Sequence, residues 1–403
     1  MRRSVAFGLL FCFAVGLFVL MSTLQPVELR NRLDFLAHYT GGRIVSQGLR
    51  TKLYDYETQL AVQRQYGHDV PLIYIHPPFE ALLFLPFAYL SYWTAFLVWG
   101  VINIAVLAAV LALLGPWFQP FDTGSRLVLV GVLVVPLVSA VGKGQDSSLL
   151  VLAYVLTFLN MRKQRNFLAG CALGLGLFRF EAVIPLLAVF LIRRRWRVVL
   201  GALAVGAVFG LVSLWLVGWR GCLTYCNWLL SITGRPTPNM AYMPQTDMPT
   251  LRGFAYLLLG HSLSTGYITV VIVSCSIALL WWLQSKWPMF EDPGTCSFDL
   301  LFSLSIVVSM LVAYHFHVHD QLLLVLPAAI VLDLSARETA RTGKGFWGLG
   351  KPRLVIPLIA LSVAQIALLA TDFERFLGIS FCFLLLFALG ISGEIAQEKQ
   401  ALT

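Results

Sequence analysis

The chain has 403 residues, of which 58% are apolar and only 12% charged. A soluble fold of this length cannot hide so much apolar surface from water, whereas lipid solvates it, so a soluble enzyme with one membrane anchor is excluded. The net charge of +9 would suggest nucleic acid in a soluble protein; here the basic residues form short runs between apolar stretches, as in cytoplasmic loops, and no nucleic acid partner is expected.

The sequence predicts an all-α, polytopic transmembrane helical bundle of about twelve spans, in a single integral membrane domain over residues 1–403. Arg2 and Arg3 precede the first span, 5–24, which is too long for a signal-peptide core and lacks a following cleavage site; it reads as an uncleaved signal anchor. Residues 25–75 then form an outer loop. In DFLAHYTGGRIVSQG the apolar positions recur at helical spacing with Arg30, Arg32, Arg43, Arg50, Lys52 and Arg64 interspersed, so amphipathic juxtamembrane helices lying on the surface are expected. The segment 76–90, HPPFEALLFLPFAYL, is read as dipping into the outer leaflet and returning. The remaining spans fall at 93–115, 127–141, 147–161, 167–178, 181–192, 198–218, 266–285, 298–314, 320–334, 354–371 and 376–392. Several are shorter than the roughly 20 residues that cross a bilayer straight, which is tolerated where helix ends face protein or a wet cavity.

The runs Arg162-Lys163-Arg165 and Arg193-Arg194-Arg195-Arg197 and the basic loop 335–353 are assigned to the cytoplasm, which puts both termini inside. The opposite side then receives the loop 25–75, GKGQDSS at 142–148, the FRFE corner at 178–181, the loop 219–252, HFHVHD at 315–320 and TDFER at 371–375. Nearly all unusual polar residues thus collect on one face.

Asp34 follows the first span directly and gains nothing from anionic lipid, so it is a candidate for a role in an outward-facing cavity. Arg179 and Glu181 interrupt two short helices; they either pair with each other, or Arg179 holds a phosphate in the fork geometry of guanidinium. Gln145, Asp146 and the two serines open the span 147–161, where Asp146 or Ser147 fits a helix cap. His315, His317 and His319 share a face if extended; a metal site, capping or interfacial histidines, and phosphate or sugar binding all remain open there. Cys222 and Cys226 are close enough for a disulfide but read more simply as two packed thiols. No P-loop, dinucleotide fingerprint, GxSxG or HExxH is present.

An ordered set of segments carries a resemblance. It runs from Asp34 through QGLRTKLYDYE, YIHPPF, GKGQDSSLLVLAYVL, AGCALGLGLFRFEAVIPL with RRRWR after it, TDMPTLRGF and HVHDQLLLVLP. This set resembles glycosyltransferase family 87, polytopic enzymes of GT-C type that include bacterial polyprenyl-phosphate-mannose-dependent mannosyltransferases and arabinofuranosyltransferases. The resemblance implies an inverting glycosyltransferase that takes a hexosyl, mannosyl in the first instance, from a polyprenyl-phosphate-sugar donor. It would act on a lipid-linked or glycan acceptor at the non-cytoplasmic face of a bacterial plasma membrane, without metal or other cofactor. Asp34 matches the family's acidic residue in the first outer loop and would be the general base. Arg179, His315, His317, Arg252, His76, Gln145 and Asp320 are the candidates for binding donor phosphate and sugar. Arg179 stands where family members often carry Lys-x-x-Pro, and His76 replaces the commoner Tyr before the Pro-Pro pair. The alternative is a transporter or lipid flippase, but inverted repeats and midplane helix breaks are not evident.

Overall fold

In lipid a backbone N–H or C=O must find its partner within the protein, which favours helices. The computed structural model describes residues 15–16, 18–19, 22–23, 34–67, 72–232, 245–287, 292–343, 350–371 and 374–402, and among them there is helix but no strand. The expected signal anchor lies mostly outside the described residues, as do parts of the loops 25–75, 219–252, 335–353 and 371–375. By length and composition seven helical stretches of the described residues reach what a membrane crossing needs, one of them Asn166–Ile192, which folds back at its middle, and Ser147–Arg162, Cys296–Val312 and Pro352–Leu368 are shorter apolar helices. The chain divides into two compact units, Met1–Ala108 with Ala140–Ser148 and Ala204–Met243, and Ala109–Ser139 with Leu149–Leu203 and Pro244–Thr403.

The first unit is organised around α1 (Phe35–Ser46) and α2 (Tyr56–Gln63). Helix α1 forms where expected, but it does not lie on a surface. Phe35 through Gly42 and Ile44 are all buried, and the Phe35 ring meets Tyr39, Phe84, Tyr92 and Phe96 at centroid distances of 5.7–6.2 Å. The reason is compositional: Arg43 is the one arginine, lysine or carboxylate in the helix, so every face is apolar enough to pack. Arg43 Nη1 donates to the Ala88 carbonyl at 2.9 Å, tying the helix to the segment 76–90.

Two buried glutamines on α2 serve as backbone partners for the extended segment after residue 71. Gln63 accepts from Leu72 N and donates to Leu72 O, both at 2.8 Å, and Gln59 accepts from Tyr74 N at 2.8 Å. The segment 76–90 continues as short turns, Pro78–Glu80, Ala81–Phe84 and Pro86–Tyr89, none long enough to cross a bilayer. Its Phe79 stacks on Phe209 at 4.1 Å.

Longer helices follow: α3 (Tyr92–Leu113), α4 (Thr123–Lys143) and α5 (Ser147–Arg162). In the second unit α6 (Asn166–Leu175) runs out to a 3₁₀ corner, Gly176–Arg179, and α7 (Phe180–Ile192) runs back. The two arms form a hairpin rather than one long span, because Asn166 and Arg194, Arg195 and Arg197 line one cavity. Helix α8 (Trp196–Ile232) breaks its helical geometry at Gly218, where the expected span 198–218 ends. Beyond it come α9 (Leu251–Leu259), α10 (Thr265–Lys286), α11 (Cys296–Val312), α12 (Val325–Thr342), α13 (Pro352–Ala370) and α14 (Ser380–Leu402). Cys222 and Cys226 are free thiols, so no disulfide joins them.

Within this unit the three basic runs share one end. Arg162 and Arg337 line a single cavity with Asp299 and Asp333, and Arg162 pairs with Asp299. The hairpin and α11 both lead away from that end, carrying the FRFE corner and the histidine segment to the other.

Helix α6 crosses the start of α8 at very close range. A Cβ on Gly170 would stand 1.9 Å from the Val198 carbonyl oxygen, and one on Gly201 2.1 Å from that of Phe167. Gly170→Val or Gly201→Val should therefore cost about 1–3 kcal/mol through overpacking, read as a lower melting temperature in detergent. Gly210→Val, at a position with nothing within 4 Å, should leave it unchanged.

Candidate active site

Asp34 sits immediately before α1 with helical backbone angles (φ −58°, ψ −24°), and its side chain makes no capping hydrogen bond. The carboxylate is half-buried and instead accepts from Gln145 Nε2 at 2.9 Å, across 111 residues of chain. What brings Gln145 there is the C-terminus of α4. Gln145 N donates to Ala140 O and Gly144 N to Val141 O, the paired bonds that end a helix on a left-handed residue. Gly144 supplies that conformation at φ +71°, and a Cβ on it would meet Phe35 Cβ at 2.7 Å. Trp99 Nε1 then donates to the Gly144 carbonyl at 3.0 Å. The turn is thus fixed against the residue that follows Asp34, and its next side chain reaches the carboxylate.

One turn along α1, His38 enters a buried cluster. Its Nδ1 lies 3.0 Å from Glu80 Oε1, and His76 Nδ1 lies 2.9 Å from Glu80 Oε2. Burial opposes ionisation of Glu80, but the two imidazoles outweigh it and hold the carboxyl down at about 2. Asp146, fully buried, brings its carboxylate to the same place, so that one ligand atom from each of the four residues lies within 4.8 Å of the others. His76 was a candidate for donor binding; the structure places it in this cluster. Tyr54 fixes its backbone by donating to the His76 carbonyl at 2.7 Å.

The second unit assembles Arg179, Arg252, His315 and His317. Arg179 is buried at the hairpin corner. Thr250 Oγ1 caps α9 by accepting from Gly253 N, which sets Arg252 in the first turn, 3% exposed. Arg252 Nη1 donates to the Tyr314 carbonyl at 3.1 Å, and its guanidinium lies 3.9 Å from the Tyr314 ring centroid. Its Nε has no hydrogen-bond partner among the described residues. His315 and His317 bring their Nε2 atoms to 3.3 Å. Burial first, then the charges of His317, Arg179 and Arg252, push the His315 imidazole well below its ordinary range, against the pull of Asp320. Asp320 itself accepts from His317 N at 3.0 Å, capping the 3₁₀ turn Val318–Leu324 and fixing the histidine backbone.

Of the predicted residues, then, Asp34 and Gln145 meet in one unit, while Arg179, Arg252, His315 and His317 meet in the other with Asp320 as their brace. His38 and Glu80 were missed. The spacing of His76 and Glu80, one helical turn apart, was the available signal.

Residues 74–313 match the sequence profile of glycosyltransferase family 87. Over 253 residues the chain is 29% identical to the polyprenol-phosphate-mannose-dependent alpha-(1-2)-phosphatidylinositol pentamannoside mannosyltransferase of Mycolicibacterium smegmatis, covering 60% of this chain and 57% of that relative. The chain thus spans somewhat over half the length of the relative it matches. No solved structure matches.

Gly144→Ala forces a side chain into left-handed backbone and toward Phe35. It should lower stability by about 1–3 kcal/mol, measured by thermal melting of the purified protein, with Gly142→Ala, which meets nothing within 4 Å, as the tolerant comparison.

Proposed function

Because the chain belongs to glycosyltransferase family 87, we propose that it is an inverting glycosyltransferase that moves a hexosyl residue, mannosyl in the first instance, from a polyprenyl-phosphate-sugar donor to a lipid-linked or glycan acceptor. The observation that carries this reading is the half-buried Asp34 carboxylate, oriented by Gln145 and not consumed by its own helix. A carboxylate in that state is suited to accept the proton of an acceptor hydroxyl as the hydroxyl oxygen attacks the anomeric carbon. The bond from that carbon to the phosphate oxygen breaks, and its electron pair leaves with the lipid phosphate. The leaving group is already stable as an anion, so no acid is required of the protein.

Arg179 and Arg252 act on the donor phosphate, where fixed guanidinium groups offset the charge that develops as the bond breaks. Arg252 retains an unpartnered buried N–H, which suits a ligand oxygen. His315, kept neutral by burial and its cationic neighbours, contributes as a hydrogen-bond partner rather than as a charge. The reaction is assigned to the non-cytoplasmic face of a bacterial plasma membrane with both termini cytoplasmic. Support for that orientation is the common end of the basic runs and the position of the histidine segment away from them.

The test is transfer from radiolabelled polyprenyl-phosphate mannose in membranes, at matched expression. Asp34→Asn should lower kcat about 10²–10⁴-fold with the protein still folded. Undiminished transfer would remove Asp34 from its role while leaving the family's chemistry in place. Gln145→Ala, which removes the hydrogen bond to Asp34, should cost about tenfold, the equivalent of roughly 1.4 kcal/mol. Arg252→Lys keeps the charge but not the fork, and should raise KM for the donor more than for the acceptor. Equal effects on both substrates would overturn its assignment to the phosphate.

A further inference from the structure

The cluster below Asp34 has a composition that hydrogen bonding alone does not account for. Two carboxylates, Glu80 and Asp146, are buried beside two imidazoles, His38 and His76, with three of the four residues at most 2% exposed. Burying two carboxylates within 4.8 Å of each other is strongly unfavourable unless a cation lies between them. The two imidazoles stand against each other beside these carboxylates, with ring centroids 4.5 Å apart.

The second observation is directional. His38 Nδ1 and both Glu80 oxygens are fully buried and near one another, yet none meets hydrogen-bond alignment with a protein partner. The imidazole nitrogens lie 2.9–3.0 Å from the Glu80 oxygens, and an ion among them would take up the lone pairs of all these atoms. Donors bound to one tetrahedral zinc at about 2.0–2.1 Å are separated by somewhat over 3 Å, close to the two imidazole–Glu80 spacings, while all four ligand atoms fall within 4.8 Å of one another.

The geometry points to a divalent metal site formed by His38, His76, Glu80 and Asp146, of the two-nitrogen, two-oxygen kind that zinc favours. Its four protein donors leave no open position, which makes it structural and not a participant in sugar transfer. The ion ties together three separate pieces of the first unit: the first turn of α1, the segment 76–80 and the turn after α4. Two of these pieces carry Asp34 and Gln145, at His38 minus four and Asp146 minus one. The metal therefore fixes the distance across which Gln145 reaches Asp34. The site stands independently of which sugar is transferred, because occupancy is read without any substrate.

The test uses the full-length protein purified in detergent from cells grown with added zinc, and measures metal by mass spectrometry. The expected result is one equivalent of zinc per chain, lost in His38→Ala and Glu80→Gln and retained in Asp34→Asn. Should those variants fail to fold, the wild type serves alone. A membrane-permeant chelator should remove the metal and lower the melting temperature, and zinc by itself should restore both. Cobalt grown into the wild type should give the intense visible absorption of four-coordinate nitrogen and oxygen ligation. Folded wild type without stoichiometric metal, or melting indifferent to chelator, would overturn the proposal. So would metal content unchanged by Glu80→Gln, which would place the ion elsewhere.

Discussion

A buried side-chain amide must satisfy a donor and an acceptor, and Gln145 satisfies its donor on the Asp34 carboxylate at 2.9 Å. Gln145 reaches it because α4 ends on a left-handed glycine, because that glycine abuts Phe35, and because the Trp99 indole holds the glycine carbonyl. In a chain this apolar the surrounding hydrocarbon packs without strong directional preference, so the few polar bonds decide how the helices register. The buried glutamines of α2 do the same for the extended segment 72–77, standing in for the strand partner it lacks.

The second unit follows a different logic. Its charges are sorted by end. Where the basic runs meet, cations find acids: Arg162 with Asp299, Arg337 with Asp333, Lys351 with Glu394. At the far end Arg179 and Arg252 stand with histidines and tyrosines, and Asp320 is engaged in holding the backbone of His317. The end with the basic runs is thus built from acid–base pairs, and the far end from arginine packed against aromatic rings and imidazoles.

Much of this could be read from the residues. Apolar runs located α3, α5 and the break in α8 to within a few positions, since hydrocarbon length in a membrane leaves little choice of element. The hairpin was legible because basic residues flank both arms. Helix α1 was misjudged: spacing reports the contrast between faces, whereas burial on all sides follows from how little charge the segment carries. In the site, Asp34 and Gln145 were each singled out, but their meeting depends on a left-handed turn 111 residues downstream. His38 was not singled out, and Asp146 was read as a helix cap. Four ligands spread from 38 to 146 make no local motif, and only the fold gathers them.

The hairpin also has a bearing on the bilayer around it. Its outgoing arm has 10 helical residues and a corner of 4, about 15 Å and 8 Å of rise, against a hydrocarbon core near 30 Å. Helix α10, with 22 residues, covers that core in full, at about 33 Å. The two cannot both match a slab of uniform thickness. Either lipid thins beside the hairpin or water descends to its corner. Lipid chain length thereby becomes a variable of the hairpin's surroundings, longer chains requiring more local thinning or deeper water.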